Sequence, residues 1–315
     1  MRKAFDKMID RFLAGMFLLM ILIGCTVTGD ESSGNPPNST EEFKKYWYAG
    51  KAELTHYHLE QARYGEIHSG DAVLIFVTED FLEDKQVKYE RGPRPDNLRS
   101  VMKLNFTRHF FTGIYPYSMI TSVFSPVDSE NAPTLKVSSS TQEWCGQTYM
   151  QLNLRNKKYK GILHSYFQSE ADLEFELDKA LLEDEIWTKI RLEPDALPVG
   201  EIKLIPGLQF LRLRHVKAQA ETATATITSL TDTSLSDKTL KVYRIEYRDI
   251  QRVLEITFES TYPYAIVAWQ EKNHSGFGPN KKWLTTRAVK TNTLWSEYWT
   301  KHSVADSTYR KLLGM

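Results

Sequence analysis

The chain has 315 residues, in which 40 Lys and Arg balance 40 Asp and Glu. A formal charge of zero excludes the basic stripe of a nucleic-acid binder and a strongly anionic surface. Two cysteines exclude a disulfide-stapled scaffold, and 16 Tyr, 15 Phe and 7 Trp suit sheets and ligand grooves alike.

Arg2, Lys3, Lys7 and Arg11 make a basic start, diluted by Asp6 and Asp10. Phe12 to Ile23 is then an almost unbroken apolar run, the length of a signal-peptide core and too short for a comfortable membrane span. It ends in Leu22-Ile23-Gly24-Cys25, which is similar to the bacterial lipoprotein signal. In that signal a Leu at −3 and a small residue at −1 precede a cysteine that is acylated before cleavage. The segment after it is rich in Gly, Ser, Thr, Asn and Pro and cannot bury enough apolar surface to offset its ordering entropy. The predicted organisation is a signal peptide over 1–24, a flexible tether over 25–43 carrying diacylglycerol and palmitate on Cys25, and one large domain over 44–315. The predicted location is the cell envelope, on the outer membrane, held by the lipid.

Most of the domain reads as strands. Residues 71–81, "DAVLIFVTEDF", hold a continuous β-branched apolar run, as in a central strand covered on both faces. Residues 100–113 and 115–126 predict two strands around a bend, and 160–167 another. Leu177, Leu181, Ile186 and Ile190 recur at helical spacing, closed by Pro194 and Pro198. Residues 201–230 alternate as a strand region, with Leu211 and Leu213 opposed to Arg212 and Arg214. Residues 240–247 and 252–261 predict a hairpin, and 294–302 and 303–313 short helices. No strand-helix-strand rhythm is visible. The predicted fold is therefore mainly β, a large curved antiparallel sheet or open barrel-like domain with a few short helices.

Two stretches echo each other. Residues 104–124 and 254–271 each carry a strand, then Tyr-Pro-Tyr, then a second apolar strand. Tyr115, Pro116 and Tyr117, like Tyr262, Pro263 and Tyr264, are predicted to turn the chain, because proline cannot donate to a ladder.

Cys145 lies in "SSSTQEWCGQTYMQLNL", residues 138–154. With Cys25 committed to lipid it has no partner in the chain. Trp144, Thr148 and Met150 share one parity and Cys145, Gln147 and Tyr149 the other, which predicts a strand with the sulfur buried. The alternative is a nucleophilic thiol with His164 or His215 as its base. The Gln-x-x-Cys-Gly string is loosely similar to that of papain-like proteases, whose spacing is wider and whose cysteine starts a helix. His56 and His58 project from one face of a strand, and with Glu60, His68 or His109 they could hold a metal. Glu183, Asp184 and Glu185 predict a solvated helix face. Residues 275–282 form a glycine-containing loop with lysines, without the helix N-terminus of a phosphate site. There is no G-x-S-x-G, P-loop, H-E-x-x-H or dinucleotide-binding fingerprint. No cofactor is predicted.

The strings "YWYAGKAELTHYHLEQARYGEIHSGDAVLIFVTEDF", "TGIYPYSMITSVF" and "STQEWCGQTYMQLNL" resemble those of a family of envelope lipoproteins of Gram-negative bacteria. Members carry the label septum formation inhibitor Maf. That label implies a nucleotide pyrophosphatase with a Ser-x-Ser-x-Arg-Arg loop, which this chain lacks, so no catalytic residue is carried over. The layout is also loosely similar to the curved open sheet of LolA and LolB lipoprotein carriers. The expected function is a non-enzymatic, membrane-anchored lipoprotein binding a lipid, glycan or protein partner in its curved sheet. The alternatives are an envelope hydrolase or thiol enzyme built on Cys145, and a metal-binding protein using His56 and His58.

Overall fold

The computed structural model describes residues 36–129 and 131–315. The signal segment, Cys25 and most of the tether lie outside the described residues. Among the described residues a 3-10 turn (Pro37–Ser39) precedes α1 (Glu41–Trp47), which leads into β1 (Ala52–Arg63), β2 (Glu66–Leu82), β3 (Val87–Lys88), β4 (Leu98–Thr112) and β5 (Tyr115–Pro126). The strands β6 (Lys136–Glu143), β7 (Gly146–Arg155), β8 (Lys158–Ser165), β9 (Leu173–Asp178) and β10 (Leu181–Leu182) follow. Next come α2 (Glu183–Leu192), β11 (Gly200–Ile205), α3 (Leu208–Arg214), β12 (Glu221–Leu230), β13 (Leu240–Tyr247) and β14 (Arg252–Glu259). The chain closes with β15 (Ile266–Ser275), β16 (Lys282–Ser296) and α4 (Thr308–Leu313).

All sixteen strands belong to one open sheet, ordered β10-β11-β12-β13-β14-β15-β16-β1-β2-β4-β5-β6-β7-β8-β9, with β3 beside β2. Every pairing is antiparallel except β10 with β11. The mainly β, curved open sheet read from the sequence is what the chain forms. Residues 71–81 occupy a central strand between β1 and β4, and 240–247 pair with 252–259 as predicted. The two free edges are β9 and β10, which only Lys179 and Ala180 separate, so the sheet must roll until its edges approach. Closure stops there and leaves a seam.

The rolled sheet surrounds α2. Ile186, Trp187 and Ile190 are buried, and the Trp187 ring lies 5.0 Å from Phe106 and 5.4 Å from Trp269. The first turn of α2 corrects one expectation: Glu183, Asp184 and Glu185 are all buried instead of forming a solvated face. Carboxylates suit a helix N-terminus, but an enclosed one also needs partners. Glu183 pairs with Arg252, which also meets Glu271 at 3.1 Å, and accepts the Tyr247 hydroxyl at 2.6 Å. Asp184 accepts the Leu208 amide and Glu185 the Thr134 amide, each at 2.9 Å. At the other end of α2, Arg191 makes a two-pronged pair with Glu53 on β1 at 2.6 and 2.7 Å. The sequence could not show this, because the partners lie 24 to 138 residues away.

Other boundaries move as well. The helix begins at Glu183, not near Leu177, which lies on β9. Residues 208–214 form α3, not a strand: Pro206-Gly207 break the chain, and both parities, Leu211 and Leu213 with Phe210 and Arg212, are buried. The folded body starts before residue 44. Thr40 caps α1 by accepting the Phe43 amide at 3.1 Å, and Phe43 and Trp47 are buried.

The Tyr-Pro-Tyr echo does not repeat in three dimensions. In β4–β5 the turn is Gly113-Ile114, and Pro116 already lies on β5 opposite Phe111. The pair flanking a two-residue turn exchanges hydrogen bonds and the next pair does not, so the missing N–H of Pro116 costs the β4 ladder nothing. In β14–β15, Tyr262-Pro263-Tyr264 is itself the turn, with a cis Tyr262-Pro263 bond. Tyr115 and Tyr117 brace their corner through Tyr64, and Tyr262 packs on Tyr264 at 5.7 Å.

Candidate functional site

At the seam, the inner face of β6–β9 stands off from α3 and encloses a cavity of about 520 Å³. Cross-strand register arranges its sheet wall in levels. Thr141, Thr148 and Ser165 share the level nearest the β6–β7 turn. Ser139, Met150, Leu163 and Leu173 share the next, and Val137, Leu152, Gly161 and Phe175 the one below. The wall thus presents the Thr141 and Thr148 hydroxyls near the turn and is mostly apolar beneath, where the Ser139 hydroxyl is engaged by Thr121. Gly161 is required there, because a Cβ would stand 2.3 Å from the Phe175 ring.

The facing wall is α3 and the residues after it: Leu208, Leu211, Arg212, His215, Val216 and Ala218. Gly207 lets the helix start against Glu183, whose carboxylate oxygen would lie 2.6 Å from an added Cβ. His215 ends the helix in the left-handed region, at φ 54°, and this aims its ring back toward the β8–β9 connection.

A chain of polar contacts crosses the top of the cavity. The Cys145 amide donates to Glu143 at 2.6 Å, and the other oxygen of Glu143 meets Arg212 at 3.3 Å. Arg212 lies 3.2 Å from Nε2 of His215, whose Nδ1 stands 2.5 Å from Glu170. Arg212 can only donate, so His215 accepts at Nε2 and carries its proton on Nδ1, facing Glu170. The Glu170–His215 contact ties the β8–β9 connection to the end of α3, and the Phe167 ring packs on the guanidinium of Arg212 at 4.6 Å. Burial, and then the like charge of Arg63, make Arg212 hold its proton less tightly than an exposed arginine. Arg63 itself is buried behind α3 against Leu213, Tyr64 and Tyr117, and no carboxylate among the described residues pairs with it.

Cys145 is exposed, contrary to the expectation of a buried strand thiol. Trp144 and Cys145 form the two-residue turn between Glu143 and Gly146, so the apparent alternation ran through a turn and had no strand behind it. The structure does not bring Cys145 together with His164. His164 sits on the outer face of β8 opposite Tyr149, about 13 Å along β7 from the turn, and pairs with Asp172 at 3.2 Å. His215, the other base considered, turns its Nε2 to Arg212. His56 and His58 do share a face of β1, yet His56 is buried, with one ring nitrogen on Thr291 and the other on Asp71, while His58 is exposed. Among the described residues no group of three or more His, Cys, Asp or Glu is placed to hold a metal ion.

Sequence reasoning missed Arg212, Glu143, Glu170, Thr141 and Thr148. The usable signal was Pro206-Gly207 ahead of "LQFLRLRH", a helix start with its basic residues in the last turn. Comparisons with family models, with curated proteins and with solved structures returned no match for this chain.

Proposed function

We propose that this chain is a lipid-anchored envelope protein that binds a small amphipathic molecule in the seam cavity and does no chemistry on it. The observation that carries the reading is the cavity: about 520 Å³, mostly apolar, with a few convergent polar groups at one end. That size and composition are those of small-molecule sites. The cavity lies at the strand ends that carry the β6–β7 and β8–β9 connections, whereas α1 packs at the opposite ends of the strands. The resemblance to envelope lipoproteins and the lipoprotein signal agree with this reading.

The test is binding of the neutral dye N-phenyl-1-naphthylamine, whose fluorescence rises in apolar surroundings. Saturable binding at one site is expected, and Leu163→Trp, which puts an indole into the cavity, should abolish it while the circular-dichroism spectrum stays unchanged. Unsaturable binding, or binding untouched by Leu163→Trp, would rule the cavity out.

A further inference from the structure

The polar end of the cavity holds donors with nothing to donate to. Arg212 is buried, with 5% of its side chain exposed, and its Nε has no hydrogen-bond partner. Its remaining contacts are one 3.3 Å ion pair, the His215 ring and the face of Phe167. Glu143 offers little more, since its second oxygen holds the Cys145 amide. Thr141 and Thr148 face each other across β6 and β7, buried and lining the same level, and neither hydroxyl has a partner within the protein. The Arg212 Nε is sealed from the cavity, but the two unpartnered hydroxyls line it beside the guanidinium, and this placement points to an acceptor supplied from outside.

The basic side chains that line the cavity are Arg212 and Lys217, and the acidic ones are Glu170 and Glu174. Arg63 and Arg214 lie close to Arg212 without lining the cavity, and among the described residues neither forms an ion pair. Glu170 is engaged by His215 and Ser165. Below this level come Met150, Leu163 and Leu173, with Ser139 whose hydroxyl is engaged by Thr121, and then Phe175.

Resting on the reading of the cavity as a ligand site, we infer that its ligand is a single-chain amphiphile with an anionic head. The head, a carboxylate or a phosphate, accepts from the hydroxyls of Thr141 and Thr148, beside the Arg212 guanidinium. The alkyl chain runs past Met150 and Leu163 to Phe175, between the sheet and α3. Two hydroxyls beside a guanidinium suit planar carboxylate or tetrahedral phosphate oxygens, and a neutral alcohol of equal length gains nothing from the nearby positive charge.

The experiment displaces N-phenyl-1-naphthylamine from the purified chain with dodecanoate, dodecyl phosphate and dodecan-1-ol. At least one of the two anions should compete roughly tenfold or more better than the alcohol, the size expected for one charge-assisted hydrogen bond. Whichever anion competes better identifies the source, a free fatty acid or a phosphorylated lipid. Thr141→Val combined with Thr148→Val keeps shape and removes both hydroxyls, so the preference should shrink several-fold while dye binding persists. Arg212→Lys should weaken the anions, and the double variant Glu143→Gln with Arg212→Met, which removes both charges together, should erase the preference. Equal competition by all three probes, or a preference unchanged in both double variants, would overturn the inference while leaving the cavity a ligand site. Absence of dye binding to the parent chain would instead refute the cavity reading on which it rests.

Discussion

Replacing Arg191 by Met tests what holds α2 inside the sheet. Arg191 and Glu53 have 1% and 3% of their side chains exposed and meet through two bonds of 2.6 and 2.7 Å. Methionine puts an apolar end where the guanidinium lies over Phe76 and Trp47, and it strands the Glu53 carboxylate in the interior. Breaking a buried pair in this way costs about 3–5 kcal/mol. The Tyr46 hydroxyl still donates to Glu53 at 2.6 Å, which places the expectation near the lower figure, about 3 kcal/mol. Burial alone would raise the Glu53 pKa, but Arg191 outweighs it and holds the carboxyl below its ordinary value. In the parent, that depressed pKa contributes stability above the unfolded pKa, which is lost as pH falls through the folded one. In Arg191→Met the displacement reverses sign, so the penalty should be largest at neutral pH and shrink as Glu53 takes up a proton. Urea unfolding followed by tryptophan fluorescence, between pH 4 and 8, measures this. The pair Glu53→Leu with Arg191→Met should recover to within about 1 kcal/mol of the parent, because no charge is left alone. A single variant costing under about 1 kcal/mol, or a double variant as unstable as the single, would refute the reasoning.

Three further outcomes follow from the same contacts. Burial pushes Asp184 up to about 7, above its unfolded value near 3.9, so the native state holds the extra proton and the parent loses stability as pH rises from about 4 to 7. Asp184→Asn can still accept the Leu208 amide, so it should flatten that decline and be the more stable protein at pH 8, by up to about 4 kcal/mol; an unchanged pH profile would count against it. Cys145, exposed on its turn, should be labelled by a maleimide without denaturant, and Cys145→Ser should change stability by less than about 0.5 kcal/mol; silence until unfolding would contradict the turn. Cys25→Ala should accumulate as unprocessed precursor in the native host, and mass spectrometry finding residues 1–24 on the unmutated chain would sink the lipoprotein reading.

What was legible in the sequence was what short-range pattern controls. The run Ala72 to Val77 announced a strand with neighbours on both sides, and "LKVYRIEY" with "RVLEITFE" announced a hairpin. Where the reading failed, a local pattern had two physical solutions. "LRLRH" alternates like a strand, yet Arg212 is buried as deeply as Leu211 and Leu213, and only Arg214 is partly exposed, because the rolled sheet encloses most of the helix. "EWCGQ" keeps strand parity on either side of a two-residue turn, so period alone could not expose it. Glu183, Asp184 and Glu185 read as solvated because their partners, Arg252 and the Leu208 and Thr134 amides, come from distant strands and loops. The cavity was illegible for the same reason. Thr141, Thr148, Glu170 and Arg212 converge only once β9 has returned to the seam.

The most direct measurement is a crystal structure of the chain soaked with 12-bromododecanoate, using the anomalous signal of bromine to mark the end of the chain. One bromine peak is expected beside Phe175 at the apolar end of the seam cavity, with the carboxylate within hydrogen-bonding distance of the Thr141 and Thr148 hydroxyls. A peak elsewhere on the surface, or an empty cavity at saturating ligand, would contradict it.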